Sequence, residues 1–264
     1  MSYETLRYEI HDGVLVLTLA RAATANAVNS VMARELPEAW ARFEADPQAR
    51  VAVVTAEGAR HFCSGADLLD PPETDFPGNA ATLRSIRWTA MQNSVSKPVI
   101  AAVNGGVVGG GLHFVADADI VVAAETSYFS DPHVAVGYVS ALEPILLARR
   151  MPIGAVMRLV LTGGMEKFDA ETAHRLGLVD ILTPPEALLE RALELAGKIS
   201  RHSPAAVARS RAAIWGAKQH GLDEALELGW QEIMAHKGHP DEVEGPRAFA
   251  ERRAPVWQKP GQMS

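Results

Sequence analysis

Residues 97–111 read KPVIAAVNGGVVGGG, and this stretch decides the fold. The apolar, β-branched run at 99–103 predicts a strand, and the next eight residues, 104–111, contain five glycines. An apolar segment at 112–118 follows at once and predicts a helix. A strand that passes through a glycine turn into a helix is the repeating unit of α/β proteins with a parallel sheet.

The rest of the chain extends this pattern. Strands are predicted at 13–19, 50–56 and 119–124, and helices at 29–46 and from residue 79 to about Val95, after an exposed loop at 70–78. In the first helix, Asn29 or Ser30 can cap the start, and an apolar face combines Met32, Leu36, Trp40 and Phe43. From Pro185 onward only helices are predicted, the last three at 204–218, 222–235 and 241–252. We therefore expect an α/β core over residues 1–198 and an all-helical region over 199–264.

Bulk composition excludes several classes of function. The 264 residues carry a net charge of −7, which disfavours nucleic acid as the main partner. The single cysteine, Cys63, excludes an intrachain disulfide and fits a reducing cytoplasm. No apolar stretch reaches membrane-spanning length and the first residues do not form a signal peptide, so we expect no membrane partner.

Two glycine turns carry the first chemical signal. Gly65-Ala66 follows one strand, and Gly109-Gly110 lies between another strand and a helix. Glycine lets backbone N–H groups approach a ligand closely, and a helix start adds unpaired donors. Two such turns can aim two N–H groups at one oxygen and form an oxyanion hole, although glycine also serves simply to make tight turns. The glycine motifs that bind nucleotide phosphates are absent from the sequence.

A series of motifs in fixed order resembles the enoyl-CoA hydratase/isomerase (crotonase) superfamily. It begins with FCSGADL at 62–68, KPVIAAVNG at 97–105 and GGG at 109–111. It continues with FSDP at 129–132, LTG at 161–163, AHRLGLV at 173–179 and FAERR at 249–253. The resemblance covers about residues 13–257, and the combination of motifs is far more specific than any one of them.

The resemblance implies a spiral ββα core and a C-terminal helical region that packs in a trimer or a dimer of trimers. The substrate would be an acyl-CoA thioester, with no cofactor beyond its coenzyme A. The N–H groups of Ala66 and Gly110 would hold the thioester oxygen. The coenzyme A path would involve side chains or backbone of Arg21, Ala25, Ser64, Ala66, Asp67 and Leu68, with Phe249 and Arg252 near the nucleotide end from a neighbouring subunit.

The sequence departs from the family at both catalytic acids. Typical hydratases carry one glutamate two residues after the triple glycine and another after the proline of the Phe-x-x-Pro turn. These positions are His113 and His133 here. A lone histidine usually only fills a polar gap, but two at both positions favour acid–base catalysis by imidazole, which titrates near neutral pH. A metal site is disfavoured because no third ligand is evident.

Glu143 is a third candidate acid, although SALE at 140–143 also matches a capping box that would close a helix start. Two lysines that often bind coenzyme A phosphates in the family are missing, since Ala22-Ala23 and Leu69 occupy those places. Phosphate contacts would then be fewer or would come from Arg21, Arg84 or Arg87.

The leading hypothesis is an acyl-CoA hydro-lyase or isomerase that uses an oxyanion hole and two histidines. A second hypothesis is a retro-Claisen hydrolase of a β-diketone or ring ketone, because the turn Asp131-Pro132-His133 resembles those enzymes and the phosphate-binding lysines are weak. A third is an acyl-CoA-binding protein without catalysis. The acyl group cannot be named from the sequence.

Overall fold

The computed structural model of the chain describes residues 2–72 and 86–258. Its larger sheet has six strands in the spatial order β1-β2-β3-β5-β7-β10. These strands are β1 (Leu6–His11), β2 (Val14–Leu19), β3 (Val51–Ala56), β5 (Val99–Val103), β7 (Ile120–Ala124) and β10 (Ile181–Thr183). β1 pairs antiparallel with β2, and every other neighbour in this sheet is parallel. The predicted parallel sheet is thus confirmed apart from its first strand.

A smaller sheet is formed by strands that alternate along the sequence with those of the larger sheet. Its strands, in the order β4-β6-β8-β9, are β4 (His61–Cys63), β6 (Gly106–Val108), β8 (Tyr128–Ser130) and β9 (Phe168–Asp169). Three times, a strand of the large sheet is followed within a few residues by a strand of the small one. This repetition of paired strands is the ββα spiral core, and it brings the turns after β4 and β6 to the same place.

Nine α-helices complete the described part of the chain. They are α1 (Ser30–Ala45), α2 (Leu112–Ala116), α3 (Leu142–Leu147), α4 (Ile153–Leu161), α5 (Ala170–Arg175), α6 (Leu188–Ser200), α7 (Pro204–Gly216), α8 (Leu222–His236) and α9 (Asp241–Ala250). The last three agree with the predicted helical region within two residues at each end. No helix in residues 2–72 and 86–258 is both long and apolar enough to cross a membrane.

Helix α1 shows how the sequence fixes local structure. The Asn29 side chain accepts a hydrogen bond from the Met32 N–H at 3.0 Å, so the predicted cap is confirmed. The predicted apolar face is fully buried, and Trp40 at its centre donates from Nε1 to the carbonyl of Trp88 at 2.9 Å. That bond ties α1 to the segment that leads towards the glycine turns.

The large sheet is buried on both faces. One face packs against α1 and the small sheet, around side chains such as Leu17, Trp40 and Phe62. The other face packs against α6, where Ala192 and Ala196 meet strand residues of the β3–β5–β7 region. A sheet covered in this way reads as nearly continuous apolar runs, which is why these strands were visible in the sequence.

The prediction of a helix that ends near Val95 is wrong over the described residues of this segment, 86–95. Residues 86–95 form only a single 3-10 turn, Met91–Asn93, followed by Ser94 at a positive φ of 57°. The Gln92 side chain accepts from nearby backbone N–H groups, and the Asn93 side chain donates to a nearby carbonyl. These hydrogen bonds compete with helical bonding. Most of the predicted loop and the first part of this helix, including Arg84, lie outside the described residues.

Candidate active site

The two glycine turns meet at one point. A Cβ atom at position 65 would lie 2.9 Å from the backbone nitrogen of Gly110, and one at position 110 would lie 3.5 Å from the Cα of Gly65. Gly65 has a φ of +90°, a conformation that side chains rarely adopt. Glycine is therefore required at 65 both by its conformation and by the closeness of the second turn.

The N–H groups next to this contact are not consumed by the surrounding fold. Outside helices and strands, none of the backbone hydrogen bonds among the described residues is donated by Ala66 or Gly110. Gly110 begins the segment that becomes α2, so the N-terminal end of that helix faces the same spot. The ring of Trp88 covers the other side, since a Cβ at Gly110 would lie 3.0 Å from its Cζ3. Ala66 and Gly110 are thus the candidate N–H donors at this contact, with the Trp88 ring beside it.

Backbone bonds join the predicted coenzyme A loops to the first turn. Ser64 N–H donates to the Ala25 carbonyl at 3.1 Å, and Val28 N–H donates to the Gly65 carbonyl at 2.8 Å. Ala25 has a φ of +54°, which closes the short 3-10 turn at Ala22–Thr24. The structure thus brings the two predicted loops together, whereas the ligand they would bind stays a prediction.

Arg21 and Asp67 form an ion pair across these loops. Nη2 of Arg21 lies 3.0 Å from Oδ2 of Asp67, and Nη1 donates to the Ala27 carbonyl. Backbone N–H groups and this guanidinium hold the pKa of Asp67 below its usual range. Arg21 is therefore occupied within the fold, and Arg87 likewise donates to Asn93 at 3.0 Å. Both guanidinium groups therefore have partners within the chain, although Arg87 itself is exposed.

His113 is almost wholly buried and pairs with Glu143. Its Nε2 lies 3.2 Å from Oε1 of Glu143, but the direction is not that of a hydrogen bond. The side chain of His113 is 2% exposed and that of Glu143 is 10% exposed. Burial lowers the pKa of His113, and His133 adds to this effect, while Glu143 opposes it. The lowered pKa favours the neutral ring of His113, with the Glu143 carboxylate beside it.

His133 is the partner of a buried aspartate. Nδ1 of His133 lies 2.8 Å from Oδ1 of Asp131, and Ser140 donates to Oδ2 of the same carboxylate at 2.5 Å. The hydrogen bond to Asp131 raises the pKa of His133, against burial, which lowers it. Burial would raise the pKa of Asp131, but the bonds from His133 and Ser140 outweigh it, and that pKa is lowered. Both shifts favour the pairing of an imidazolium with a carboxylate in this dyad.

The dyad lies beside the second glycine turn. A Cβ at Gly109 would lie 3.5 Å from Cε1 and 3.7 Å from Nε2 of His133. With Nδ1 engaged by Asp131, Nε2 is the atom left to act on a ligand. The structure therefore gathers Ala66, Gly110, His113, His133 and Glu143 in one place, as a set of residues from four separate segments.

The capping box predicted at residues 140–143 is wrong. Helix α3 begins at Leu142 after Ala141, and no side chain caps it. The Ser140 hydroxyl bonds to Asp131 instead, and Glu143 turns towards His113. A hydrogen bond from Ser140 to the buried Asp131 has replaced the local cap, which shows why the local pattern was misleading.

Three residues of the site were not identified from the sequence. Asp131 contacts His133, Gln92 contacts His113, and Ser140 bonds Asp131. Only the spacing Asp131-Pro132-His133 offered a signal, because an aspartate can bond the group two residues later. In contrast, Phe249 is 87% exposed at the end of α9 and Arg252 has a φ of +55°. Their predicted role at the nucleotide end stays a prediction.

Comparison with known proteins identifies the family of the chain. The family model "Enoyl-CoA hydratase/isomerase" matches residues 9–260. A carnitinyl-CoA dehydratase of Citrobacter koseri is 34% identical over 97% of this chain and 98% of its own length. The chain belongs to the enoyl-CoA hydratase/isomerase family, and it is an enzyme of that type.

Solved structures give the same result for the fold. An enoyl-CoA hydratase/isomerase from Mycobacterium paratuberculosis superposes with a TM-score of 0.89 at 35% identity, covering 97% of this chain and 99% of that one. An enoyl-CoA hydratase from Mycobacterium tuberculosis has a TM-score of 0.85 at 32% identity over 96% and 98% of the two chains. The crotonase fold predicted from the ordered motifs is confirmed.

Proposed function

We propose that the protein catalyses the reversible addition of water to the α,β double bond of an acyl-CoA thioester. The observation that carries this proposal is the contact between the Gly65-Ala66 and Gly109-Gly110 turns, beside two histidines and two carboxylates. The names of the relatives, carnitinyl-CoA dehydratase and enoyl-CoA hydratase, support the same reaction class and an acyl-CoA substrate. The reaction requires no cofactor beyond the coenzyme A of the substrate.

In the dehydration direction, a base removes a proton from the α-carbon. The electrons of that C–H bond move into the thioester carbonyl, and the N–H groups of Ala66 and Gly110 stabilise the negative oxygen. Such donors are typically worth about 2.7–4 kcal/mol each in transition-state stabilisation. The enolate then expels the β-hydroxyl, which leaves as water after it receives a proton. His133, backed by Asp131, and the His113–Glu143 pair are the groups that transfer these protons.

Coenzyme A would lie along the joined loops of residues 21–27 and 64–68. Because Arg21 is paired with Asp67, we expect backbone N–H groups and a neighbouring subunit to bind the phosphates of coenzyme A. Phe249 and Arg252 of that subunit would contribute at the nucleotide end. We therefore expect the working form to be a trimer or a dimer of trimers.

Mass spectrometry in labelled solvent tests the proposal directly. A panel of enoyl-CoA thioesters is incubated in H₂¹⁸O, and each product is examined for the addition of one water that carries the heavy oxygen. A parallel incubation in D₂O detects deuterium at the α-carbon. His133→Gln should reduce both signals by about 10²–10⁴-fold, the usual contribution of acid–base catalysis. His11→Gln, at an exposed position on β1, is the matched control and should leave them unchanged.

The proposal fails if no thioester of the panel gains water or deuterium, or if His133→Gln behaves as the control does. A signal in D₂O alone, with no water added, would favour an isomerase that moves a proton between carbons.

A retro-Claisen hydrolase is the second candidate, and the Asp131–His133 dyad favours it. A histidine backed by a buried aspartate can deprotonate water for attack on a carbonyl carbon. The carbon–carbon bond then breaks, the carboxylic acid is released, and the carbanion takes up a proton. Incubation with a β-diketone in H₂¹⁸O would show this as a labelled acid together with a ketone.

A further inference from the structure

Gln92 lies behind His113, away from the glycine turns, and its amide has only one possible orientation. Its Oε1 accepts hydrogen bonds from the backbone N–H groups of Trp88 at 2.8 Å and Thr89 at 3.1 Å. Backbone N–H groups only donate, so the atom that meets them must be the amide oxygen. The other amide atom, the nitrogen, is then the one that lies 3.2 Å from Nδ1 of His113.

We infer that Gln92 is a positioning residue which holds His113 as the neutral tautomer with its proton on Nε2. The amide NH₂ of Gln92 can only donate, so Nδ1 of His113 must accept and carries no proton. The single ring proton therefore sits on Nε2, the atom that lies 3.2 Å from Oε1 of Glu143. A doubly protonated ring would set its Nδ1–H against the hydrogens of Gln92.

The surroundings of Gln92 are built to keep this arrangement. The backbone N–H of Gln92 donates to the Thr89 hydroxyl at 3.3 Å, and that hydroxyl donates to the buried Asp117 at 2.5 Å. The ring of Trp88 stands edge-on to the ring of His113, with centroids 6.1 Å apart. Both the amide and the imidazole are thus fixed from several sides.

Two ionisable groups, Glu143 and His133, act on the charge of His113. Glu143 on α3 favours the charged ring, whereas His133 disfavours it, and burial of the ring outweighs the attraction of Glu143. The lowered pKa of His113 agrees with the neutral form that Gln92 demands. The two histidines consequently differ in state, since the pKa of His133 is raised by Asp131.

The consequence for catalysis rests on the proposed function. With its proton on Nε2, His113 is a donor and not a base at that atom in its resting form. That N–H is buried without a hydrogen-bond partner, so a small rotation of Glu143 or the arrival of a substrate oxygen would give it an acceptor. Removal of the α-proton is then left to His133 or Glu143, and Gln92 controls this division without touching the substrate.

Nuclear magnetic resonance of ¹⁵N-histidine tests the assignment in the resting protein, without substrate. The full-length protein is examined at pH 8, and the signal missing from His113→Asn identifies the ring. We expect an unprotonated Nδ1 and a protonated Nε2. A proton on Nδ1, or on both nitrogens, would overturn the inference. This readout is independent of turnover, so it can succeed or fail whatever the reaction proves to be.

The variant Gln92→Glu reverses the demand on the ring. A carboxylate at this position can accept from Nδ1, so the proton should move to Nδ1 or the pKa of His113 should rise by at least one unit. The same shift should appear in the pH profile of turnover. Gln48→Glu adds an equal charge at an exposed position and should alter neither. If Gln92→Glu retains the Nε2–H tautomer and the original profile, Gln92 is not a positioning residue; Gln92→Leu, which should leave both tautomers populated, serves if the charged variant does not fold.

Discussion

Asp131→Asn is the most informative single change, because it removes the charge of the dyad while keeping its shape. Asp131 is fully buried and accepts bonds from the His133 ring, the His133 N–H and the Ser140 hydroxyl. Asparagine retains one acceptor oxygen for His133. The Ser140 hydroxyl can rotate and accept from the new NH₂ group.

The two pKa shifts determine how the loss of stability in Asp131→Asn depends on pH. The pKa of His133 is raised in the folded protein, so its contribution to stability is complete below the unfolded value of about 6.5 and is lost as pH rises through the folded value. The pKa of Asp131 is lowered, so its contribution is present above about 3.9 and is lost as pH falls. The ion pair therefore stabilises the fold most between about pH 4 and 6.5.

The geometry of the dyad gives the expected change in the free energy of unfolding. Hydrogen bonds to charged groups contribute about 1.5–3 kcal/mol, and the ring of His133 is only 25% exposed. We expect Asp131→Asn to lower the free energy of unfolding by about 2–3 kcal/mol at pH 5.5, and by about 1 kcal/mol at pH 9, where the ring is neutral. Turnover should fall by about 10²-fold or more, since the pKa of His133 returns towards its ordinary value.

Urea unfolding at both pH values, together with the pH profile of turnover, is the assay. Ser140→Ala is the matched control, because it removes one bond to Asp131 and leaves the charge. Its loss in the free energy of unfolding, about 1.5–3 kcal/mol, should be the same at pH 5.5 and pH 9, because the carboxylate is charged at both. Equal losses for Asp131→Asn at the two pH values, or an unchanged profile of turnover, would refute the reasoning.

Other changes give separate tests. Gly65→Ala should cost about 1–3 kcal/mol in thermal unfolding and abolish activity, because its φ is +90° and the new Cβ meets the second turn. Asp117 has a pKa raised to about 6, so it costs stability increasingly above pH 4; Asp117→Asn should restore up to about 3 kcal/mol at pH 8 and almost nothing at pH 4, measured by urea unfolding. Sedimentation should show trimers or hexamers at micromolar concentration, and monomer alone would contradict this. Crotonyl-CoA hydration, followed by ultraviolet absorbance, should be slow and should increase in the double variant His113→Glu with His133→Glu.

The fold could be predicted because its signals are local. The buried strands read as apolar runs, α1 has a cap and a clear face, and the glycine turns adjoin strands. Ordered motifs then supplied the topology. The helix predicted to end near Val95 does not form over residues 86–95, because Gln92 accepts from and Asn93 donates to the nearby backbone and hold a 3-10 turn.

The site was predictable only in part. Ala66, Gly110, His113 and His133 were predicted from the resemblance of the ordered motifs to the family. Their partners were not, because no periodicity connects Gln92 with His113 or Ser140 with Asp131. Pairing between distant side chains is a property of the tertiary structure, and it decides which proton each histidine carries.

The pairing also explains how two histidines can stand where the family has two glutamates. Each imidazole has a carboxylate at its side: Glu143 at 3.2 Å from His113 and Asp131 at 2.8 Å from His133. Two negative charges thus remain in the site, but at least one acts on the ligand only through a ring. An enolate is itself negative, so placing an imidazole between it and a carboxylate weakens their repulsion in a buried site. The same change removes a direct acceptor for water. Under the proposed mechanism, we expect a site of this kind to favour enolate formation more strongly than the binding of a free water molecule.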